Sequence, residues 1–205
     1  MSTQPKTLLT PEQYLEIERA AEYKSEYFNG EMFPMGTFAM AGAAENHNLV
    51  VANTLRDLSQ QLRHRPCKVY PSDMRVRVSS TGLYTYPDLT VVCGSAEFLD
   101  RRRDTLLNPT LIVEVLSPST EAYDRGRKFD HYRAIESFRE YLLLPSDRIH
   151  ADLFTLQEGR WVLTSADRLE DSLSLESIGC RLAMADLYEK VEFEPAVPPR
   201  NAQVP

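Results

Sequence analysis

The chain has 205 residues, 42% of them hydrophobic and 26% charged, a globular balance with enough length to bury a sizeable core. No apolar run reaches the roughly eighteen residues that crossing a bilayer needs, and the start, MSTQPKTLLTPEQYLEIE, lacks the basic and apolar segments of a signal peptide. A net charge of −7 argues against non-specific coating of nucleic acid, yet it is compatible with an enzyme that carries a local basic patch or gathers carboxylates around a metal.

Thr10-Pro11-Glu12 supplies an N-cap, a proline at the first helical position and an acidic first turn, predicting a helix through Ala21. Asn29-Gly30, between Glu26-Tyr27-Phe28 and Glu31-Met32-Phe33, predicts a tight hairpin. Residues 45–63 carry a helical stripe at Leu49, Val50, Ala52, Leu55, Leu58 and Leu62, with Asn53 as the polar exception.

KVYPSDMRVRVSS alternates Met74, Val76 and Val78 with Arg75 and Arg77, predicting a strand with one wet face. TYPDLTVVCG and LIVEVLS predict two more apolar strands, joined by a loop or short helix that holds Arg101, Arg102 and Arg103. EAYDRGRKFDHYRAIES reads as a helix, REYLLLP as a strand, and RIHADLFTLQEGRWVLTSA as a hairpin turning at Glu158-Gly159. A short strand and a final turn follow over about residues 168–191.

The fold class expected is α/β, a mixed β-sheet flanked by α-helices, in a single domain over 1–192. The Pro-rich tail 193–205 is expected to be disordered. Cys67, Cys93 and Cys180 form no CxxC pair and no metal-ligand spacing, Cys93 reads as a small core residue, and a reduced, cytoplasmic setting is expected.

Two carboxylates stand in segments that read as buried: Asp88 after Pro87, and Glu114 inside LIVEVL. An unpaired buried carboxylate costs several kcal/mol. A divalent cation between the two would remove their repulsion, and hard oxygen ligands suit Mg²⁺ or Mn²⁺. Glu31, His47, Asp73 and Tyr132 are supporting candidates, Lys128 lies one turn before Tyr132, and Arg125 and Arg127 make that neighbourhood basic enough to meet DNA phosphate. Each also has a purely structural reading. Asp88 could cap the turn after Pro87, Glu114 could pair with a buried arginine, and Lys128 could pair with Asp124 on a solvated helix.

YPDLTVV, LIVEVLSPST, YDRGRKFDHYR and REYLLL, with EYFNGEM and the His47 region, resemble the bacterial Uma-two family of restriction-endonuclease-like proteins over residues 8–190. That family is similar in fold to the PD-(D/E)XK nucleases, in which Asp and Glu hold Mg²⁺ and a lysine positions or activates water. The resemblance implies a restriction-endonuclease-like fold, a Mg²⁺-dependent endonuclease acting on DNA, metal ligands Asp88 and Glu114, and a catalytic set of Asp88, Glu114 and Lys128. The chain departs from the pattern where the superfamily lysine would fall, at Leu116, and the resemblance puts Lys128 in that role. The alternative is a DNA-binding or assembly module that retains the nuclease fold without catalysis; hydrolysis of another phosphate ester is a third reading. No membrane partner is expected, and a homodimer is, with an apolar edge at EGRWVL.

Overall fold

The computed structural model describes residues 8–35 and 45–193. The tail from 194 onward lies outside the described residues, and with it nearly all of the Pro-rich segment.

The first helix, α1 (Pro11–Ala20), is closed by a capping box in which Thr10 accepts from the Gln13 N–H and the Gln13 side chain accepts from the Thr10 N–H. Strands β1 (Ser25–Phe28) and β2 (Glu31–Pro34) turn at Asn29 and Gly30, whose φ angles are 49° and 83°. A side chain at Gly30 would be strained by that φ and would place its Cβ 2.8 Å from Leu8.

Helix α2 (Glu45–Leu62) buries Val50, Leu58 and Leu62. Asn53, the polar exception on its stripe, donates to the carbonyls of Leu187 and Glu189, so it ties the helix to the end of the described chain.

Next come β3 (Cys67–Pro71), β4 (Arg75–Val78), β5 (Leu83–Thr85), β6 (Leu89–Cys93), β7 (Thr105–Leu106) and β8 (Leu111–Leu116). After β8 come α3 (Glu121–Tyr123), a π turn (Asp124–Lys128) and α4 (Phe129–Tyr132). The chain continues with β9 (Glu140–Pro145), β10 (Ala151–Gln157), β11 (Arg160–Ala166), β12 (Ser172–Leu175), β13 (Cys180–Ala183) and α5 (Met184–Leu187).

One sheet runs β11-β10-β9-β8-β6-β3, with β8 and β9 parallel and its other pairs antiparallel. A second runs β2-β1-β5-β4-β7, and β12 with β13 forms a separate hairpin. Alternation along β8 splits its side chains between two apolar clusters. Val113 and Val115 pack with Val50 and Leu58 of α2, while Ile112 and Leu116 pack with Phe129, Tyr132 and Val76. Both faces of β8 are thereby covered, which is why its sequence is almost wholly apolar.

The structure corrects several expectations. KVYPSDMRVRV is two strands in different sheets, because the turn at 72–74 breaks the run, and TYPDLTVV likewise divides between β5 and β6. Arg75 is not on a wet face: it is 2% exposed and bonds to Thr105 and Tyr86, with Asp104 beside it, because β7 and Tyr86 close over its side of β4. The segment before β8 contains β7, and the region after 168 holds two paired strands. The long helix expected after Glu121 is broken by the π turn and ends near Tyr132. Cys93 is a disulfide partner of Cys67, since the register of β3 and β6 sets the two residues opposite one another. A fully reduced chain does not describe this structure.

Candidate active site

Strand β8 carries Glu114 into the interior, where it is 3% exposed. It is the single break in the apolar run Leu111–Leu116, and the fold supplies its partners. Lys128, at the end of the π turn, places Nζ 3.1 Å from Glu114 Oε1, and Tyr132 donates its hydroxyl to the same oxygen at 2.9 Å. Burial pushes the Glu114 carboxyl up to about 8, against the opposing pull of the Lys128 ammonium. Lys128 itself is held firmly as a cation, because the carboxylates around it outweigh the desolvation that would neutralise it.

Those carboxylates come from three places in the chain. Besides Glu114, Asp124 lies one turn before Lys128 at 3.1 Å, and Glu26 reaches in from β1 at 3.5 Å. Glu26 is fixed in turn by Thr85, which donates to its Oε1, and by Tyr123, whose hydroxyl donates to Oε2 at 3.0 Å. The ammonium is thus surrounded by carboxylates from both sheets and from its own turn.

Asp88 stands just before β6. The register pairs Leu89 with Val113, so Asp88 falls beside Glu114 at the same edge of the strand pair. Its Oδ2 accepts the Val115 N–H at 2.7 Å, and its negative charge adds to the upward push on Glu114. His47, in the first turn of α2, sets Nε2 3.6 Å from the same Oδ2. Burial alone would lower the His47 pKa, but Asp88 and the Val115 carbonyl outweigh it and raise the net value.

Of the residues singled out in the sequence, Asp88, Glu114, Lys128, His47 and Tyr132 therefore gather in one neighbourhood. Asp73 lies elsewhere: it pairs with Lys24 at 2.6 Å and lines a separate polar cavity with Arg75, Arg102 and Asp104. Glu31 is half-buried on β2 opposite Phe28, and it is Glu26, one strand earlier, that enters the cluster. Arg127 is exposed, whereas Arg125 is engaged by Glu121 and Asp152. Arg101, Arg102 and Arg103 are exposed, the last lying over the Phe98 ring. The lysine pairing with Asp124 that the sequence offered as a purely structural reading is present, but inside the fold and shared with Glu114.

Sequence reasoning missed Glu26, and it gave Asp124 only as a structural partner of Lys128 at i, i+4 spacing, not as a member of the site. Nothing local distinguished Glu26 from Glu31, because the choice depends on which hairpin strand faces the rest of the fold.

A model of the Uma2 family, described as "Putative restriction endonuclease", matches residues 11–185. The chain belongs to the Uma2 family. Two proteins of Synechocystis sp. (strain ATCC 27184 / PCC 6803 / Kazusa), both named only as uncharacterized, resemble it at 35% identity. One alignment covers 90% of this chain and 94% of the relative, the other 77% and 86%. Among solved structures, a protein from Anabaena variabilis titled a "putative nuclease belonging to DUF820" superposes with a TM-score of 0.69. That match has 16% identity and covers 90% of this chain and 98% of the other, so it establishes the fold. The restriction-endonuclease-like α/β architecture expected for a Uma2 chain is the one observed.

Restriction-endonuclease-like proteins generally use divalent metals, so the cluster must be weighed as a metal site. Among the described residues no three His, Cys, Asp or Glu side chains gather in a way that could hold a metal ion. Mg²⁺, however, is commonly held by one or two carboxylates, with waters and substrate phosphate completing its shell. Asp88 and Glu114, adjacent across the β6–β8 pair, are two carboxylates of the kind such a shell uses. No helix among the described residues is long and apolar enough to cross a membrane.

Proposed function

We propose that this chain is a divalent-metal-dependent endonuclease, with Mg²⁺ or Mn²⁺ as the ion and the DNA phosphodiester bond as the substrate. The observation that carries the reading is the buried pairing of Lys128 with Glu114, with Asp88 next to them. Position 116, where the superfamily pattern would carry the lysine, holds a leucine that is 1% exposed and packed with Ile112 and Tyr132. A lysine arriving from the neighbouring turn supplies the same charge beside the same carboxylate.

Asp88 and Glu114 would hold the ion. When bound, it supplies a water of lowered pKa and offsets charge on the phosphate. The chain's own groups do the rest. The Val115 N–H fixes the Asp88 carboxylate, and the Tyr132 hydroxyl orients Oε1 of Glu114. Glu26 and Asp124 keep Lys128 charged, so that its ammonium can orient a water or stabilise negative charge as it develops. His47 shapes the accessible side of the site through Asp88.

The test is nicking of supercoiled plasmid in Mg²⁺ or Mn²⁺, with metal binding followed by calorimetry. Wild-type protein is expected to nick only with metal, and Glu114→Ala to lose both nicking and binding while remaining folded. Inactivity of clean wild-type protein on double-stranded, single-stranded and branched DNA in both metals would overturn the reading. Leu116 favours a second one, a DNA-binding or assembly module on the same fold, which predicts binding insensitive to metal. A homodimer belongs to the proposal as well. The edge strand β11, with Val162 42% and Leu163 51% exposed, supports it, and a monomer mass in sedimentation would remove it.

A further inference from the structure

Arg125 looks from the sequence like a grip on phosphate, but its surroundings give it other work. Its Nε lies 2.7 Å from Glu121 Oε1, and its Nη1 lies 2.6 Å from Asp152 Oδ2. With Nε and Nη1 both taken up by carboxylates, the guanidinium's charge is already paired, which makes it a poor grip for a phosphate. We infer that Arg125 is a positioning residue, clamping the π turn to β10 through Asp152 so that Lys128 meets Glu114. This rests on the nuclease reading above for its catalytic consequence.

The register shows why the clamp acts on the site. Glu114 pairs with Leu143 on β9, and Leu143 pairs with Asp152 on β10, so Glu114 and Asp152 occupy one row across the sheet. The π turn lies over that row. Its first residue, Asp124, and its last, Lys128, reach Glu114's end, and Arg125 reaches Asp152's end. One five-residue turn is thus tied to two strands of the same sheet.

The anchor is itself built. Asp152, whose side chain is 8% exposed, accepts from the Ser165 hydroxyl on β11 at 2.5 Å and lies 2.9 Å from His150 Nε2. Arg148 donates to the same Oε1 of Glu121 at 2.7 Å. Tyr141 donates its hydroxyl to the Asp124 carbonyl at 3.0 Å, giving a partner to a group near the loosened part of the helix. A π turn is uncommon and occurs often at functional sites. Here its widening lets neighbouring residues point at separate strands.

The experiment compares wild type with Arg125→Ala, Arg125→Lys, Asp152→Asn and the charge-exchanged pair Arg125→Asp/Asp152→Arg. Metal-dependent nicking is measured as kcat and KM, together with the salt dependence of DNA binding. A positioning role predicts kcat lowered about 10- to 100-fold in Arg125→Ala and Asp152→Asn. KM and the salt slope should stay unchanged, with partial recovery in the exchanged pair. A lost phosphate contact would instead lower the salt slope by about one and leave Asp152→Asn near wild type, overturning the inference.

A second readout needs no activity: the exchange of the backbone amides of residues 124–128, followed by NMR. Loosening the turn in Asp152→Asn, or in Arg125→Lys if the alanine variant does not fold, should speed that exchange while the amides of β8 keep theirs. Unchanged exchange over 124–128 in both variants would overturn the clamp. An inactive wild type whose variants still show the faster exchange would sink the nuclease reading and leave the clamp standing.

Discussion

Lys128 and Glu114 lie against one another in the interior, 3.1 Å apart and each no more than 6% exposed at the side chain. Asp124 and Glu26 share the same ammonium, so the cluster holds more negative than positive groups. Its energetics follow from that imbalance.

Removing the cation should be costly. Lys128→Met would leave the Glu26 and Asp124 carboxylates without their common counter-charge and Glu114 without a partner, and breaking a buried pair typically destabilises by about 3–5 kcal/mol. Urea unfolding at neutral pH should show a loss of that order. The loss should shrink at acid pH, where the carboxylates are protonated. A change under about 1 kcal/mol at neutral pH would contradict the burial of the pair.

Glu114→Gln should behave in the opposite way as pH rises. The folded Glu114 pKa is raised from 4.5 to about 8, so the unfolded chain gives up this proton first. The contribution of the protonated carboxyl is fully present below about pH 4.5 and is lost as pH rises through about 8. Glutamine does not titrate. The melting temperature of wild type relative to Glu114→Gln should therefore fall between pH 5 and pH 9. A constant gap would mean that Glu114 titrates normally.

Tyr132→Phe removes only the hydroxyl that donates to Glu114 Oε1. A hydrogen bond to a neutral group contributes about 0.5–1.5 kcal/mol net, so a loss in that range is expected in denaturant unfolding. The variant should also lose part of any metal-dependent activity, because Oε1 is no longer oriented. Stability and activity both unchanged would place the hydroxyl elsewhere.

The Cys67–Cys93 disulfide closes a loop with a sequence separation of 26 and ties the edge strand β3 to β6. Reduction should lower stability by about 2–4 kcal/mol on loop-closure grounds. Dithiothreitol should thus shift the urea midpoint of wild type and leave that of Cys67→Ser/Cys93→Ser unchanged. Thiol titration of the native protein should find Cys180 alone unbonded, and slowly reacting because it is buried. Three free thiols in the native state would refute the bond.

The sequence by itself determined what short-range chemistry determines. The capping box at Thr10, the Asn29-Gly30 turn, the Glu158-Gly159 turn and the apolar run of β8 are written in a few adjacent residues each, and they formed where expected. Asp88 and Glu114 could be singled out because a charged group in or beside an apolar segment is costly enough to need an explanation, whereas Lys128 was reached through its spacing to Tyr132 and the family resemblance.

Only the tertiary structure decided which polar groups meet. Alternation in MRVRV shows that two sets of side chains face opposite ways, but the closure of β7 and Tyr86 over one set is what buries Arg75. Glu26 and Glu31 are equivalent in the hairpin pattern until packing brings one to Lys128. The pairing of β3 with β6 set Cys67 against Cys93, and the π turn divided Arg125 from Lys128 between two strands. In each case the energy lies in contacts between segments far apart in the chain, so no local pattern of residues records it.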